Sequence, residues 1–242
     1  MLRGFIKGLV EIIYPRICLI CKINLKGISN IDNLICSQCW HKLKRNMPPF
    51  CRSCGRQLKK INFTQHICSG CVRKKLNFDR AFSPCVYEGV AKELIHQFKY
   101  KGKDYLGNTL GRLMVEFIRE YNLPMDYIDF IVPMPLHKTR LREREFNQAE
   151  ILASCIAKDF KNSLLNHNLI RHRPTKTQTE LEEKERFLNV KGSFLLKDGE
   201  CLKGKNILLV DDVLTTAATS SEAAYALKQA RANIVFVLTL AN

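Results

Sequence analysis

Two adjacent carboxylates, Asp211 and Asp212, follow an apolar run and precede a segment of threonine and alanine. The apolar run, residues 207–210, predicts a strand that is buried on both faces. Open α/β sheets bind ligands at the carboxyl ends of their strands, and the two acids fall at such an end. The threonine hydroxyls and the backbone N–H groups at the start of the next helix attract phosphate. Because the acids can hold sugar hydroxyls or Mg²⁺, the segment suits a phosphorylated sugar.

The same segment resembles the motif with which type I phosphoribosyltransferases bind 5-phosphoribosyl 1-diphosphate (PRPP). The resemblance implies that Asp211 and Asp212 are the catalytic acids that hold the ribose hydroxyls. It also implies that the 5′-phosphate is bound by the residues Thr215, Thr216, Ala217, Ala218 and Thr219. The sequence departs from the motif at Ala217, where the family usually has glycine. An ordinary βα turn whose acids cap a helix is the simpler alternative, and the order of acids and threonines makes it the less favoured one.

A cationic loop, residues 133–148, follows the predicted strand 127–132. In a parallel sheet this loop emerges at the same edge as the acid pair, and arginine binds phosphate oxygens in a bidentate manner. Lys138, Arg140 and Arg144 are therefore candidates for binding pyrophosphate. A solvated helix start, with its glutamates offsetting the charge, is the alternative.

A second polar segment, residues 171–189, lies between predicted elements and is suited to act as a mobile flap. Like the cationic loop, it carries several arginines. Its candidate site residues are Arg171, Gln178 and Arg186.

Eight of the 11 cysteines form four Cys-x-x-Cys pairs. Two such turns complete a tetrahedral Zn²⁺ site, so the four pairs predict two structural zinc sites. No signal peptide supports a disulfide framework and a redox motif needs only one pair, so zinc is preferred. The spacing leaves two pairings open, sequential sites as in a double zinc ribbon and interleaved sites as in cross-braced fingers. The candidate ligands are Cys18, Cys21, Cys36, Cys39, Cys51, Cys54, Cys68 and Cys71.

The positive charge of the chain is concentrated in this cysteine-rich part. Residues 1–80 carry a charge balance of +13 and the remainder only +3. Two zinc-bound Cys₄ sites would lower the first value to about +9, which still attracts polyanions such as single-stranded DNA. A solvated basic surface is the alternative, with Trp40 and Phe50 filling a small core rather than stacking on bases. The DNA-binding candidates are Lys42, Lys44, Arg45, Arg52, Arg56, Lys59, Lys60 and Trp40.

Two domains are predicted, an N-terminal helix with a double zinc-binding module at residues 1–78 and an α/β domain at residues 79–242. Alternating patterns in the second domain predict a mostly parallel sheet flanked by helices. We predict strands at residues 82–87, 127–132, 193–196, 206–210 and 234–240, and helices at residues 90–101, 106–121, 148–159 and 219–229. Residues 1–14 show an amphipathic helix pattern rather than a signal peptide, and no apolar run approaches the ~20 residues that span a bilayer.

Taken together, residues 142–148, 171–178, 186–189 and 211–216 resemble the ComF family of competence-associated proteins, as does the segment 99–102. Glu145 departs from the family, which usually has glycine there. The resemblance implies a double zinc ribbon before a type I phosphoribosyltransferase-like domain that binds PRPP with Mg²⁺. It also implies a cytoplasmic factor for DNA uptake in natural transformation, which acts on single-stranded DNA with a helicase or DNA-processing partner. The alternative is an active phosphoribosyltransferase that transfers ribose 5-phosphate to an unknown nitrogen acceptor.

Overall fold

A computed structural model of the chain describes residues 15–58, 66–100, 102–174 and 183–242. The helix predicted at residues 1–14 lies outside the described residues, and so do the candidates Lys59, Lys60 and Gln178. All further statements concern the described part of the chain.

The cysteine-rich part is built from short turns rather than long elements. Strands β1 (Asn30–Ile31) and β2 (Ile35–Cys36) form an antiparallel pair, and helix α1 (Ser37–His41) follows directly. Helix α2 (Ser69–Val72) is a single turn, and it begins directly after Cys68, the first residue of the last cysteine pair. Elements this short bury little apolar surface by themselves, so this part depends on bound metal and on packing against its neighbour.

The remainder of the chain alternates strands and helices. Its strands are β3 (Arg80–Phe82), β4 (Phe130–Pro133), β5 (Ser163–Leu164), β6 (Leu169–Arg171), β7 (Phe194–Leu196), β8 (Asn206–Val213) and β9 (Ile234–Ala241). Its helices are α3 (Gly89–Tyr100), α4 (Leu106–Glu120), α5 (Lys138–Arg144), α6 (Gln148–Phe160), α7 (Glu183–Val190) and α8 (Ala218–Gln229). Among the described residues, five strands form one parallel sheet in the order β3-β9-β8-β4-β5.

Both faces of this sheet are buried, as the unbroken apolar runs predict. Leu208 and Leu238 pack into a cluster with apolar residues of α3, α4 and α6. Their neighbours Leu209 and Val237 point to the opposite face and pack against α8. The predicted fold class, a mostly parallel sheet flanked by helices behind a cysteine-rich module, is therefore confirmed.

Two strand predictions need correction. The strand predicted at residues 82–87 is β3, which ends at Phe82, because Pro84 has no N–H for the ladder and the pairing shrinks to a single bridge at Cys85. The strand predicted at residues 193–196 is found as β7, but it pairs antiparallel with β6 outside the main sheet. Strand β8 runs to Val213, so the acid pair lies within the last residues of the strand rather than in the loop after it.

Candidate functional site

A cleft of about 610 Å³ opens at the carboxyl edge of the parallel sheet. It is lined by residues after β4, at the end of β8 and along α3, together with arginines from β6 and α7. This is the edge at which open α/β sheets bind ligands. Eight of the residues predicted from the sequence line the cleft, namely Asp211, Asp212, Thr215, Thr219, Arg140, Arg144, Arg171 and Arg186.

The acid pair is held in a strongly charged environment. The N–H of Asp212 donates to Oδ1 of Asp211 over 2.8 Å, and Nζ of Lys99 lies 2.7 Å from Oδ1 of Asp212. Burial and the charge of Asp212 raise the pKa of Asp211 to about 7, against the opposing charges of Lys99 and Arg171 and the N–H of Asp212, which lower it. Asp211 therefore changes its protonation state near neutral pH, which few carboxylates do.

The loop after the acids is the segment predicted to bind phosphate. Ala217 has φ of +70° and caps helix α8, and its carbonyl accepts a hydrogen bond of 2.8 Å from the N–H of Ser221. Thr215 and Thr219 line the cleft, whereas Ala217 and Ala218 are buried behind it. The hydroxyl oxygen of Thr216 is buried and has no hydrogen-bond partner among the described residues. The positive φ explains why glycine is common at position 217, since most L residues avoid that conformation.

A cationic wall faces the acids. Arg144 of α5 donates to Gln148 over 3.2 Å, and its guanidinium lies 5.1 Å from the ring centre of Tyr100. Burial lowers the pKa of Arg171, the charge of Asp211 raises it, and Arg140 and Arg144 lower it again. These three arginines thus share one electrostatic environment with Asp211.

Two residues of the cationic loop lie elsewhere. Lys138 is exposed at the start of α5 and does not line the cleft. Glu145 caps the end of α5 with φ of +67°, which again explains the glycine that the ComF family usually has at this position. Its Oε2 lies 4.0 Å from where a Cβ on Gly102 would be, and Glu145 is not part of the cleft lining.

Helix α3 supplies cleft residues that the sequence analysis did not name as site residues, although Lys99 and Tyr100 belong to the family-like segment 99–102. Lys92, His96 and Lys99 line the cleft together with Tyr87 and Tyr100. The first three stand at helical spacing on one face of α3, while the opposite face of the helix is buried in the core. That polar face was the available signal, because residues four and seven apart share one side of a helix.

The eight paired cysteines form two groups in sequential order. Cys18, Cys21, Cys36 and Cys39 make one group and Cys51, Cys54, Cys68 and Cys71 the other, and within each group the sulfur atoms lie within 4.8 Å of one another. The interleaved pairing is therefore wrong. Backbone N–H groups donate to sulfur in both groups, from Cys36 to Cys18 over 3.4 Å and from Cys68 to Cys51 over 3.3 Å. Four sulfurs at this separation fit tetrahedral Zn²⁺.

The DNA-binding candidates are spread over several environments. Lys42, Arg52 and Arg56 are exposed. Lys44 pairs with Glu88 at 2.8 Å and Arg45 lies 3.7 Å from Glu116, so part of their charge is offset locally.

The aromatic candidates of this module pack inward. Trp40 is half-buried against the apolar core, and Phe50 packs edge-on against Phe117 and Tyr121 of the neighbouring part. The alternative that Phe50 fills a core is thus the correct one, and the exposed cations remain the candidate DNA contacts.

No helix among the described residues is both long enough and apolar enough to cross a membrane.

Comparisons with known proteins agree with this architecture. Residues 9–77 match a family model described as a double zinc ribbon domain. The chain is 30% identical over 222 residues to competence protein ComFC of Bacillus subtilis, covering 86% of this chain and 86% of that protein. It is 29% identical over 208 residues to competence protein F of Haemophilus influenzae, covering 85% of this chain and 87% of that protein. It is 27% identical over 212 residues to DNA utilization protein YhgH of Escherichia coli K12, covering 87% of this chain and 89% of that protein.

Among solved structures, the chain is similar to the hypoxanthine-guanine phosphoribosyltransferase of Leishmania tarentolae in complex with GMP, with a TM-score of 0.27 and 10% identity over 61% of this chain and 66% of that one. It is also similar to a hypoxanthine phosphoribosyltransferase mutant of Trypanosoma cruzi in a ternary substrates complex, with a TM-score of 0.32 and 12% identity over 61% and 67%.

Proposed function

Since this chain belongs to the ComF family of competence-associated proteins, we propose that it is a DNA-uptake factor whose cleft binds PRPP and whose zinc module binds single-stranded DNA. The observation that carries the PRPP proposal is the convergence in one cleft of an acid pair, a phosphate loop and a wall of arginines. The acid pair and the phosphate loop are neighbours in the sequence, whereas the arginines come from separate segments.

PRPP carries three groups that match the three parts of the cleft. Its ribose hydroxyls suit the carboxylates of Asp211 and Asp212, which accept hydrogen bonds. Its 5′-phosphate suits the loop between Thr215 and Thr219, at the start of α8. Its pyrophosphate suits Arg140, Arg144 and Arg171, whose planar guanidinium groups bind phosphate oxygens in pairs.

Mg²⁺ would enter with PRPP rather than occupy a protein cage. Among the described residues, Asp211 and Asp212 are the carboxylates that line the cleft, and Lys99 already pairs with Asp212. An ion of this kind takes most of its ligands from substrate phosphates and water and one or two from carboxylates, which fits this donor set. It would neutralise charge on the pyrophosphate, while Asp211 orients the ribose.

Turnover is a second candidate function, favoured by the size of the cleft. Tyr87, Lys92 and His96 line the same cleft in addition to the phosphate loop and the arginines. An acceptor nitrogen placed there would form a bond to C1 of the ribose as the C1–oxygen bond to pyrophosphate breaks. The pyrophosphate leaves with the electron pair, and the acceptor nitrogen loses its proton. Catalysis would come from orientation and from charge stabilisation at C1, without a protein nucleophile.

Calorimetric titration with PRPP and Mg²⁺ tests the cleft. Wild-type protein should release or absorb heat on binding, and the double variant Asp211→Ala, Asp212→Ala should not. Asp126→Ala is the matched control, because Asp126 is an exposed acid outside the cleft. A wild-type protein that fails to bind PRPP contradicts both functions, whereas turnover of labelled PRPP with a base or DNA separates the enzyme from the sensor.

Binding of the zinc module to single-stranded DNA is tested by fluorescence anisotropy at increasing salt. Neutralisation of phosphates by exposed cations makes log K fall linearly with log salt, by roughly 0.7 per phosphate for single strands. The triple variant Lys42→Ala, Arg52→Ala, Arg56→Ala should bind more weakly and with a shallower slope. Absence of binding at low salt would instead indicate that the module docks a protein partner such as a helicase.

A further inference from the structure

The second zinc group is tied directly to the phosphate loop by a short connection, residues 73–79, which we call the strap. We propose that Asn77 of the strap positions the phosphate loop, so that zinc in the second group and PRPP in the cleft stabilise each other. This inference rests on the proposed PRPP site, and it assigns a role in that site to the zinc module.

Asn77 makes three hydrogen bonds to a single residue in the first turn of α8. Its backbone N–H donates to Oγ of Ser221 over 3.1 Å, and its side-chain amide donates to both Oγ and the carbonyl of Ser221 over 3.1 Å. Ser221 is 2% exposed, and its own N–H donates to the carbonyl of Ala217. Asn77 is therefore one residue removed from the left-handed turn that shapes the phosphate loop.

A second contact reaches the loop itself. Nζ of Lys74 lies 3.5 Å from the carbonyl of Thr216, beside a threonine hydroxyl that is buried and without a partner among the described residues. This contact brings a cation of the zinc module next to the loop that the 5′-phosphate would occupy. The positive charge favours an anion there even where it makes no direct contact.

The other end of the strap is fixed by the second zinc group. Cys51, Cys54 and Cys71 are buried in the same apolar cluster as Leu214 and Ala217. A Cβ on Gly55 would lie 2.4 Å from the carbonyl oxygen of Ala81, so this ribbon lies directly against strand β3. The strap therefore joins a metal-dependent turn to the phosphate loop without a flexible linker in between.

Linkage follows from this arrangement. If zinc in the second group keeps the strap in place and the strap keeps the loop in its binding conformation, zinc increases the affinity for PRPP. Coupling between two binding sites is reciprocal, so PRPP must also raise the affinity of that group for zinc by the same factor. We expect this higher affinity to show as slower loss of zinc to a chelator. The first zinc group makes its described hydrogen bonds to other elements, to α3 through Leu19 and to α4 through Asp32.

The test separates the phosphate loop from the cationic wall by using two probes, ribose 5-phosphate and inorganic pyrophosphate, alongside PRPP. Asn77→Ala removes two hydrogen bonds, so we expect about fivefold to tenfold weaker binding of PRPP and ribose 5-phosphate. Pyrophosphate binding should not change, because it relies on Arg140 and Arg144. Lys75→Ala, at an exposed position of the strap, is the matched control and should leave all three affinities unchanged.

Zinc release gives a second readout that requires no activity. A colorimetric chelator is added to wild-type protein with and without PRPP, and the zinc equivalents lost are followed over time. PRPP should slow the loss of one of the two equivalents in wild type and neither in Asn77→Ala.

The outcomes are distinguishable. Wild-type protein that does not bind PRPP overturns the proposed function. Wild-type protein that binds PRPP, with unchanged ribose 5-phosphate affinity in Asn77→Ala and no protection of zinc, overturns the inference alone. Should Asn77→Ala fail to fold, the zinc-release experiment on wild-type protein still decides it.

Discussion

At the scale of single residues, the most consequential feature is the acid pair, in which one carboxyl is paired and the other is not fully charged at neutral pH. Lys99 lies 2.7 Å from Asp212, while burial raises the pKa of Asp211 to about 7. A carboxyl that binds ribose hydroxyls as an acceptor works best when it is ionised. The protonation state of Asp211 therefore ties ligand binding to pH.

We expect PRPP affinity to rise between pH 6 and pH 8, because Asp211 loses its proton over this interval. The measurement is a series of calorimetric titrations across that range in constant ionic strength. Phosphate groups of PRPP also titrate near pH 6, and the Asp211→Asn variant corrects for them because it keeps the ligand and removes the titrating carboxyl. A profile that is the same in wild type and Asp211→Asn would mean that Asp211 does not contribute.

The raised pKa of Asp211 also predicts how the stability of the ligand-free protein depends on pH. The pKa of this carboxyl is about 4 in the unfolded chain and about 7 in the folded protein. The free energy of unfolding therefore falls as pH rises from about 4 to about 7, because only the unfolded chain releases the proton in that range. Above pH 7 the loss of stability is constant. Asp211→Asn should therefore raise the free energy of unfolding at pH 8 by about 2–4 kcal/mol. The gain should shrink towards pH 4, where both states of the wild type are protonated. Chemical denaturation at pH 8 and pH 5 measures it, and equal gains at both values would contradict the prediction.

Ala217 is the second residue whose type has a definite consequence. Its φ of +70° shows that the loop adopts the left-handed conformation with alanine in place. The left-handed conformation costs alanine about 1–2 kcal/mol, and glycine at the same position costs about 0.4–1 kcal/mol in chain entropy, so the two effects largely offset each other. Ala217→Gly should therefore change the melting temperature by only a few degrees and leave PRPP affinity within about threefold of wild type. A large gain in affinity would show that the alanine holds the loop away from the phosphate.

The sequence predicted the chemistry of single residues where motif and conformation coincide. The acid pair, Arg140 and Arg144 could be placed at the sheet edge from the ends of the predicted strands, and Thr215 and Thr219 from the motif that follows the acids. The arginines of the flap segment were candidates only because that segment is polar and lies between predicted elements. Lys92 and His96 could not, because a polar helix face is solvated in most proteins and nothing in their spacing tells which face meets a cleft. Lys99 was noted only as part of the family-like segment 99–102. The role of Lys138 as a pyrophosphate ligand stays a prediction that its exposed position does not favour.

At the scale of elements, three helices converge on one arginine. Tyr100 at the end of α3 and Gln148 at the start of α6 both contact Arg144 of α5, through the ring face and through an amide oxygen. The amide of Gln148 in turn donates to the carbonyl of Phe98 over 3.2 Å, which fixes its orientation. The guanidinium is thereby held in place before a ligand arrives, which reduces the entropy lost on binding.

This arrangement predicts different results for two substitutions of Tyr100. Tyr100→Phe keeps the ring face and loses only a hydroxyl contact of 3.4 Å, so pyrophosphate affinity should stay within about twofold. Tyr100→Leu removes the cation–π contact, worth about 0.5–1 kcal/mol at an exposed site, and should weaken pyrophosphate binding about threefold to fivefold. Competition with a labelled PRPP analogue measures both, and equal losses in the two variants would exclude the ring as the support of Arg144.

Element boundaries were predictable where apolar periodicity is long and unbroken. Helix α4 and strands β8 and β9 occur within a few residues of their predicted ends. The two-residue strand β5 and the antiparallel pair of β6 and β7 were missed or misplaced, because such short strands owe their pairing to neighbours distant in sequence. The end of β3 was misjudged because Pro84 stops the ladder within an apolar stretch.

At the scale of the whole molecule, the zinc module and the sheet share their interior. The domain boundary near residue 78 stays a prediction, and the structure describes extensive contact across it. The side-chain amide of Asn46, between the two zinc groups, donates to the carbonyls of Ser83 and Cys85 and to the side chain of Asn242. The amide of Asn242 donates in turn to the carbonyl of Cys54. Composition and cysteine spacing indicate two modules, but such contacts lie far beyond the reach of local sequence patterns.

These buried bonds predict that the modules unfold together. Asn46 is 1% exposed, so Asn46→Ala leaves the carbonyl of Ser83 and the side-chain oxygen of Asn242 without this donor in the interior, at about 1 kcal/mol each, whereas the carbonyl of Cys85 keeps the N–H of Asn242. We expect a loss of about 2 kcal/mol in the free energy of unfolding. Far-ultraviolet circular dichroism and zinc release should both follow one cooperative transition. Gln38→Ala, at an exposed position of the same module, is the matched control. It should change neither the free energy of unfolding nor the release of zinc. Two separate transitions, with zinc lost before the sheet melts, would show that the zinc module folds independently and that its contacts with the sheet contribute little to stability.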